Sequence, residues 1–247
     1  MHEAAPQWSR YRFKFVKLKN KLYIVSTPIG NLSDITFRAI ETLKQVDFIA
    51  CEDTRVTGNL LTHFEIKKEL VSLNAFNESK KLIVVVKRIL NGESAALVSD
   101  SGTPTISDPG NRLISEALKN GIEVITIPGP SALISALSIS GLPTDAFIFE
   151  GFLPQKKGRQ KKLTQLSAEE RTIVLYESVY RIEKLIDELS KYMPERYLVV
   201  CRELTKKFEE CWRGFPSELS ESLSTKIIKG EFVVVIAPKK WEQRTID

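Results

Sequence analysis

From Leu22 to Ile127 the chain alternates two textures: short unbroken apolar runs, and longer stretches whose apolar residues recur every three or four positions. The runs Leu22 to Ser26, Val46 to Cys51, Leu70 to Leu73, Ala95 to Ser99 and Ile122 to Ile127 predict strands buried on both faces. Between them, Phe37, Ile40 and Leu43, and later Leu113, Ile114, Ala117 and Leu118, keep helical spacing. Asn91-Gly92 and Asn120-Gly121 supply the helix stops. Strand and helix alternating in this way predict a parallel sheet with helices on both faces.

The texture changes around Gly141-Leu142-Pro143 and Gly151-Phe152-Leu153-Pro154. A strand is expected from Thr172 to Tyr176 and a helix from Val179 to Tyr192, with apolar positions Val179, Ile182, Leu185, Ile186 and Leu189. Two strand-like runs follow closely, Tyr197 to Arg202 and Lys207 to Arg213, and so short a link requires an antiparallel pair. A last strand runs from Phe232 to Ile236, so the second half is expected to be a mixed sheet. The division expected is a basic extension (1–21), a first α/β domain (22–143), a linker (144–162), a second α/β domain (163–240) and a tail (241–247).

Polar chemistry concentrates just past the strands. Ser99-Asp100-Ser101-Gly102-Thr103-Pro104 follows one apolar run, and Pro128-Gly129-Pro130-Ser131-Ala132 follows another. Turns of this kind place backbone N–H groups, small hydroxyls and a carboxylate at the carboxyl edge of a sheet, where open α/β sheets bind ligands. The first turn, Ser26 to Leu32, lacks the G-x-G-x-x-G of a dinucleotide fold, and the chain has no G-x-x-x-x-G-K-[ST] phosphate loop.

Composition narrows the reading further. The chain has 247 residues, 43% hydrophobic and 27% charged, which suits a globular protein with a substantial core. Its three cysteines are scattered, an arrangement that suits a reducing cytosol. Two histidines exclude a histidine-rich metal site, and no metal is expected. No apolar run approaches a membrane span, and no secretory signal pattern is visible. The net charge of +5 is carried by residues 1–21, leaving the remainder neutral, so basic residues elsewhere act through clustering. Within that extension Arg10-Tyr11-Arg12-Phe13-Lys14-Phe15 alternates basic and aromatic residues. The second cluster is Lys156-Lys157-Gly158-Arg159-Gln160-Lys161-Lys162, read as phosphate-contacting.

Seven short motifs occur in order: Thr27-Pro28-Ile29-Gly30-Asn31-Leu32, Glu52-Asp53-Thr54-Arg55, Ser99 to Pro104, Ser107-Asp108-Pro109-Gly110, Pro128 to Ala132, Gly141-Leu142-Pro143-Thr144 and Glu203-Leu204-Thr205-Lys206. Together they resemble the tetrapyrrole methylase superfamily, and within it the branch that 2′-O-methylates a cytidine of 16S rRNA. The resemblance runs from about Leu22 to Pro238. It implies two α/β domains of the tetrapyrrole methylase type, the N-terminal sheet mostly parallel and the C-terminal one mixed. S-adenosylmethionine would lie in the cleft between them.

Carried over by position, the resemblance places Pro28, Ile29, Asp100, Gly102, Thr103, Ser131 and Ala132 at the cofactor from the first domain. Tyr176, Leu204 and Ala237 would border it from the second. Glu52, Asp53 and Glu177 are the candidate proton acceptors. Arg55, Arg181 and Lys206 are candidate phosphate partners beside Lys156, Lys157, Arg159, Lys161 and Lys162. Tyr180 is placed to stack on a base. Asp100 and the Glu52–Arg55 stretch also read as ordinary turn and helix-cap residues. The implied partners are small-subunit rRNA or the assembling 30S particle and a second copy of the chain, with neither DNA nor membrane expected.

Two departures from the superfamily pattern bear on the chemistry. Leu73-Asn74-Ala75-Phe76-Asn77 stands where relatives usually carry histidines, and Glu177-Ser178-Val179-Tyr180-Arg181 replaces the usual Glu-Ser-Pro-His-Arg. A histidine-based proton relay is therefore not available. Two other readings stay open: methylation of a corrin or porphyrin precursor on the same fold, and an RNA- or ribosome-binding module without catalysis.

Overall fold

The computed structural model describes residues 19–74 and 76–242. The alternating basic and aromatic stretch and most of the expected tail lie outside the described residues. Strands β1 (Lys21–Val25), β2 (Phe48–Cys51), β3 (Glu69–Ser72), β4 (Ala95–Val98) and β5 (Glu123–Ile127) form one sheet in the order β3-β2-β4-β1-β5. Every pairing in it is parallel. Helices α1 (Phe37–Gln45), α2 (Thr54–His63), α3 (Glu78–Leu90) and α4 (Asn111–Lys119) connect the strands.

Alternate residues of each strand feed opposite cores. Leu22, Phe48, Ala95 and Leu97 pack with α3 and α4, while Tyr23, Ile49, Ala96 and Val98 pack with α1 and α2. This two-sided burial is why the strands read as continuous apolar runs.

The second sheet has the order β6-β7-β10-β8-β9. Its strands are β6 (Phe147–Phe152), β7 (Thr172–Ser178), β8 (Leu198–Arg202), β9 (Glu210–Gly214) and β10 (Glu231–Ile236). β6 and β7 are parallel and the remaining pairs antiparallel. Helices α6 (Arg159–Ser167), α7 (Ile182–Tyr192) and α8 (Pro216–Ser222) cover one face around Ile173, Leu175, Val200 and Val234. The other face is covered by α5 (Ala132–Ser140), which carries no charged residue and packs Leu133, Ala136 and Leu137 against Val174, Val199 and Val235.

The expected strand sets of both halves are found, but the segment read as a linker is not one. It contains β6 and the start of α6, and α5, assigned by sequence to the first domain, packs on the second sheet. Leu133 and Leu137 need an apolar partner, and the outer face of the second sheet provides it. Among the described residues no helix is long and apolar enough to cross a membrane.

Candidate functional site between the two sheets

Strands β4, β1 and β5 are neighbours, so the turns that follow them meet at one sheet edge. Thr27 and Gly102 exchange backbone hydrogen bonds of 2.9 and 3.1 Å. The Ser26 and Thr103 hydroxyls lie 3.0 Å apart, and the Thr103 hydroxyl donates to the Pro130 carbonyl at 3.1 Å. Hydroxyl side chains thus stitch the three turns into one wall. Backbone strain marks the same wall: Thr105 (φ 74°) and Ser107 (φ 70°) are non-glycine residues in the left-handed region.

The facing wall is set by strand register. Val233, Phe232 and Glu231 pair with Tyr176, Glu177 and Ser178, and Phe152 lies level with Tyr176. Tyr176 reaches across to accept a hydrogen bond from the Leu133 N–H at 3.1 Å, satisfying an otherwise orphaned donor at the start of α5. Burial raises the ionisation range of its phenol.

Between the walls lies a cavity of about 400 Å³. It gathers the predicted Ile29, Gly102, Thr103, Ser131, Ala132, Tyr176 and Glu177. A small extension of about 40 Å³ adds Leu204 beside Cys201. Its remaining lining includes Asp108, Phe152, Val179, Glu231 and Val233, which sequence reasoning did not assign; only Asp108, inside the Ser107 to Gly110 motif, carried a signal. No lysine or arginine is among the described residues that line it.

Other predicted residues lie elsewhere. Pro28 and Asp100 line a neighbouring hollow of about 270 Å³ behind the first turn. The Asp100 carboxylate accepts the Asp53 N–H at 3.0 Å, tying the loops after β4 and β2 together. Ala237 is fully buried and its carbonyl accepts from Arg196 at 2.6 Å, away from the cleft lining. Asp53 caps α2 by accepting the Arg55 N–H at 2.8 Å. The Arg55 side chain, bonded to Asp53, holds the Asp53 carboxyl down at about 2. Glu52 stands just behind, its carboxyl raised by burial and by Asp100 and Asp53.

The basic cluster splits. Lys156, Lys157 and Lys161 are exposed, and Lys162 pairs with Glu150 at 2.7 Å. Arg159 corrects the expectation of a phosphate contact: it is 3% exposed and bonded inward to Glu188 at 2.7 Å and the Pro154 carbonyl at 3.1 Å. It also stands 3.6 Å from the buried Glu177, which Arg181 meets at 2.7 Å. Lys206 is likewise engaged, with Glu203 and Glu231, each at 2.9 Å. Tyr180 is exposed and follows the cleft residue Val179 in sequence.

Paired α/β units, with a carboxylate-bearing cleft between them that no basic side chain lines among the described residues, define a two-domain α/β protein. Residues 21–220 match the model of the Tetrapyrrole (Corrin/Porphyrin) Methylases. The chain belongs to the tetrapyrrole methylase family, and the family's methyltransferase chemistry is its own. It is similar to the ribosomal RNA small subunit methyltransferase I of Vibrio cholerae, 50% identical over 222 residues, 87% of this chain and 76% of that one. The protein of the same name from Thermotoga maritima is 45% identical over 220 residues, 89% of this chain and 99% of that one. Among solved structures, uroporphyrin-III C-methyltransferase from Thermus thermophilus, complexed with S-adenosyl homocysteine, shares the fold. Its TM-score is 0.62 at 17% identity, covering 88% of this chain and 97% of that one.

Proposed function

We propose that this chain is an S-adenosylmethionine-dependent methyltransferase that 2′-O-methylates a cytidine ribose in 16S rRNA of the small ribosomal subunit. The observation that carries the reading is the cleft itself. Its walls combine Ile29, Ala132 and Val233 with the hydroxyls of Thr103, Ser131 and Tyr176 and three carboxylates, with no basic side chain among the described residues. Such a lining suits a ligand that is cationic and carries no phosphate. Ile29, Ala132, Tyr176, Leu204 and Val233 are the residues that would hold the donor's adenosine and amino-acid parts. When bound, the donor supplies an activated methyl group on a sulfonium sulfur. Because the transfer disperses charge, positioning and exclusion of water supply most of the acceleration.

The substrate side of the reading rests on exposed residues from the end of β6 into α6 and in the turn after β7. Lys156, Lys157 and Lys161 offer positive charge, and Tyr180 and Phe152 offer exposed rings, 93% and 52% accessible, for a splayed-out nucleotide. The relatives named above point to the same class of RNA. Action on the assembling 30S particle, in the cytoplasm and as a homodimer, completes the proposal.

The test is incubation of the protein with small subunits lacking ribose methylation and with S-adenosylmethionine, followed by mass-spectrometric mapping of the 16S RNA. A new ribose methyl on one cytidine supports the reading. Absence of any RNA methylation, or transfer to a tetrapyrrole precursor instead, overturns it.

A further inference from the structure

Three carboxylates face the main cleft among the described residues: Asp108, Glu177 and Glu231. Two are committed to cations. Glu177 is held by Arg181 at 2.7 Å with Arg159 at 3.6 Å, and Glu231 is held by Lys206 at 2.9 Å. Among the described residues no cation pairs with Asp108. Glu52, Asp100 and the Ser99 hydroxyl act on it from its own sheet edge, and the Tyr176 phenol from across the cleft.

The loop that carries Asp108 is fixed on both sides. Thr105 and Ser107 hold left-handed backbone before it, and Gly110 (φ 124°) follows it. The Gly110 N–H donates to the buried Glu78 carboxylate at 3.1 Å, and the backbone there lies close against Leu97. Two strained residues in so short a stretch persist only where the surroundings over-determine them. Here they hold one unpaired carboxylate at the cleft wall.

We propose that the Asp108 carboxylate is the catalytic base, accepting the proton that the ribose hydroxyl releases during methyl transfer. The proposal rests on the methyltransferase reading given above. In the step, the O–H bond breaks and its proton moves to an Asp108 Oδ atom. The hydroxyl oxygen's electron pair forms the new bond to the methyl carbon, and the carbon–sulfur pair returns to sulfur. Water then takes the proton from Asp108. The assignment supplies the acceptor that the missing histidines leave open. Burial and the neighbouring Glu52 push the Asp108 carboxyl up to about 6, so it is ionised at neutral pH and more basic than an ordinary aspartate.

The experiment uses the full chain, small subunits and two substitutions, Asp108→Asn and Asp108→Glu. For the unaltered protein, kcat/KM rises with pH and levels above about 6. Asp108→Asn lowers kcat by about 10²- to 10⁴-fold and abolishes that pH dependence, while calorimetry shows S-adenosylhomocysteine affinity within about two-fold. Asp108→Glu restores part of the rate. A readout independent of activity is stability against pH. A raised carboxyl costs stability as pH climbs through about 6, so the unaltered protein loses stability there relative to Asp108→Asn. An unchanged kcat in Asp108→Asn, or a large loss of homocysteine-product affinity with kcat intact, overturns the proposal. Failure of the unaltered protein to methylate small-subunit RNA overturns the reading beneath it, and the proposal with it.

Discussion

The two walls of the cleft are built by different means. The first is made of turns: Ser26 to Leu32, Ser99 to Gly110 and Pro128 to Ser131 converge because β4, β1 and β5 are neighbours in the sheet. Apart from the Asp108 carboxylate, its polar groups are backbone amides and short hydroxyls locked to one another, as in the Ser26–Thr103–Pro130 chain. The second wall is made of side chains at strand ends, aligned by the register of β6, β7 and β10. Its polar groups are stabilised from behind, by Arg159 and Arg181 on Glu177 and by Lys206 on Glu231. The first wall is thus held by neutral hydrogen bonds between turns far apart in sequence, whereas the second relies on ion pairs behind its strand ends. The two should therefore fail differently when substituted.

The largest effect is expected behind the second wall. Arg159→Ala leaves Glu177, which has no exposed side-chain surface, short of a buried cation; Glu188 also loses its nearer partner and keeps only Lys184 at 4.0 Å. Breaking such a buried network should cost about 3–5 kcal/mol, read from the urea denaturation midpoint. A cost near zero would place Arg159 on the surface and restore it as a phosphate contact.

Next comes the first wall. At Gly110 the backbone is left-handed, and an added Cβ would stand 2.7 Å from the Leu97 side chain. Gly110→Ala should cost about 1–3 kcal/mol and weaken binding of S-adenosylhomocysteine by displacing the loop from Leu97. Denaturation and calorimetry on one sample separate these effects.

Smaller still is Thr103→Val, which keeps the shape but removes the hydrogen bonds to Ser26 and Pro130. About 1 kcal/mol of stability should go, with a parallel loss of ligand affinity. A stability loss with no change in affinity would show that the stitched turns do not shape the site.

No stability change is expected for replacing Lys156, Lys157 and Lys161 together by Ala, since all three are exposed. RNA affinity should fall, and the slope of log affinity against log salt should flatten by about 2. An unaltered slope would exclude these lysines from phosphate contact.

The contrast between walls also explains what could be read from the chain. The first sheet was legible because both faces of its strands are buried, giving runs such as Ala95 to Val98 with turn residues directly after. Ile29, Gly102, Thr103, Ser131 and Ala132, which line the cleft, came instead from the family resemblance carried over by position, which also named Pro28 and Asp100 in the neighbouring hollow. β6 was missed because Gly151, with φ 59°, interrupts the run at an irregularity in the pairing with β7. α6 was missed because its sequence, Arg159 to Ser167, is polar nearly throughout and buries little beyond Leu163 and Leu166. Nothing local to Lys156–Lys162 reveals that Arg159 turns inward, since Glu188 lies on α7. The Asp53 cap was legible as one of two readings, and the Asp53–Arg55 bonds favour the cap. Asp108 escaped because only the fold shows that its neighbours carry anions and hydroxyls rather than a cation.

The most direct test of the account is a crystal structure of the protein with S-adenosylhomocysteine. The account predicts the ligand between the two walls, its adenosine against Ile29, Ala132 and Val233 and within reach of Tyr176. Density in the hollow beside Asp100 and Pro28, or no binding at millimolar ligand, would contradict it.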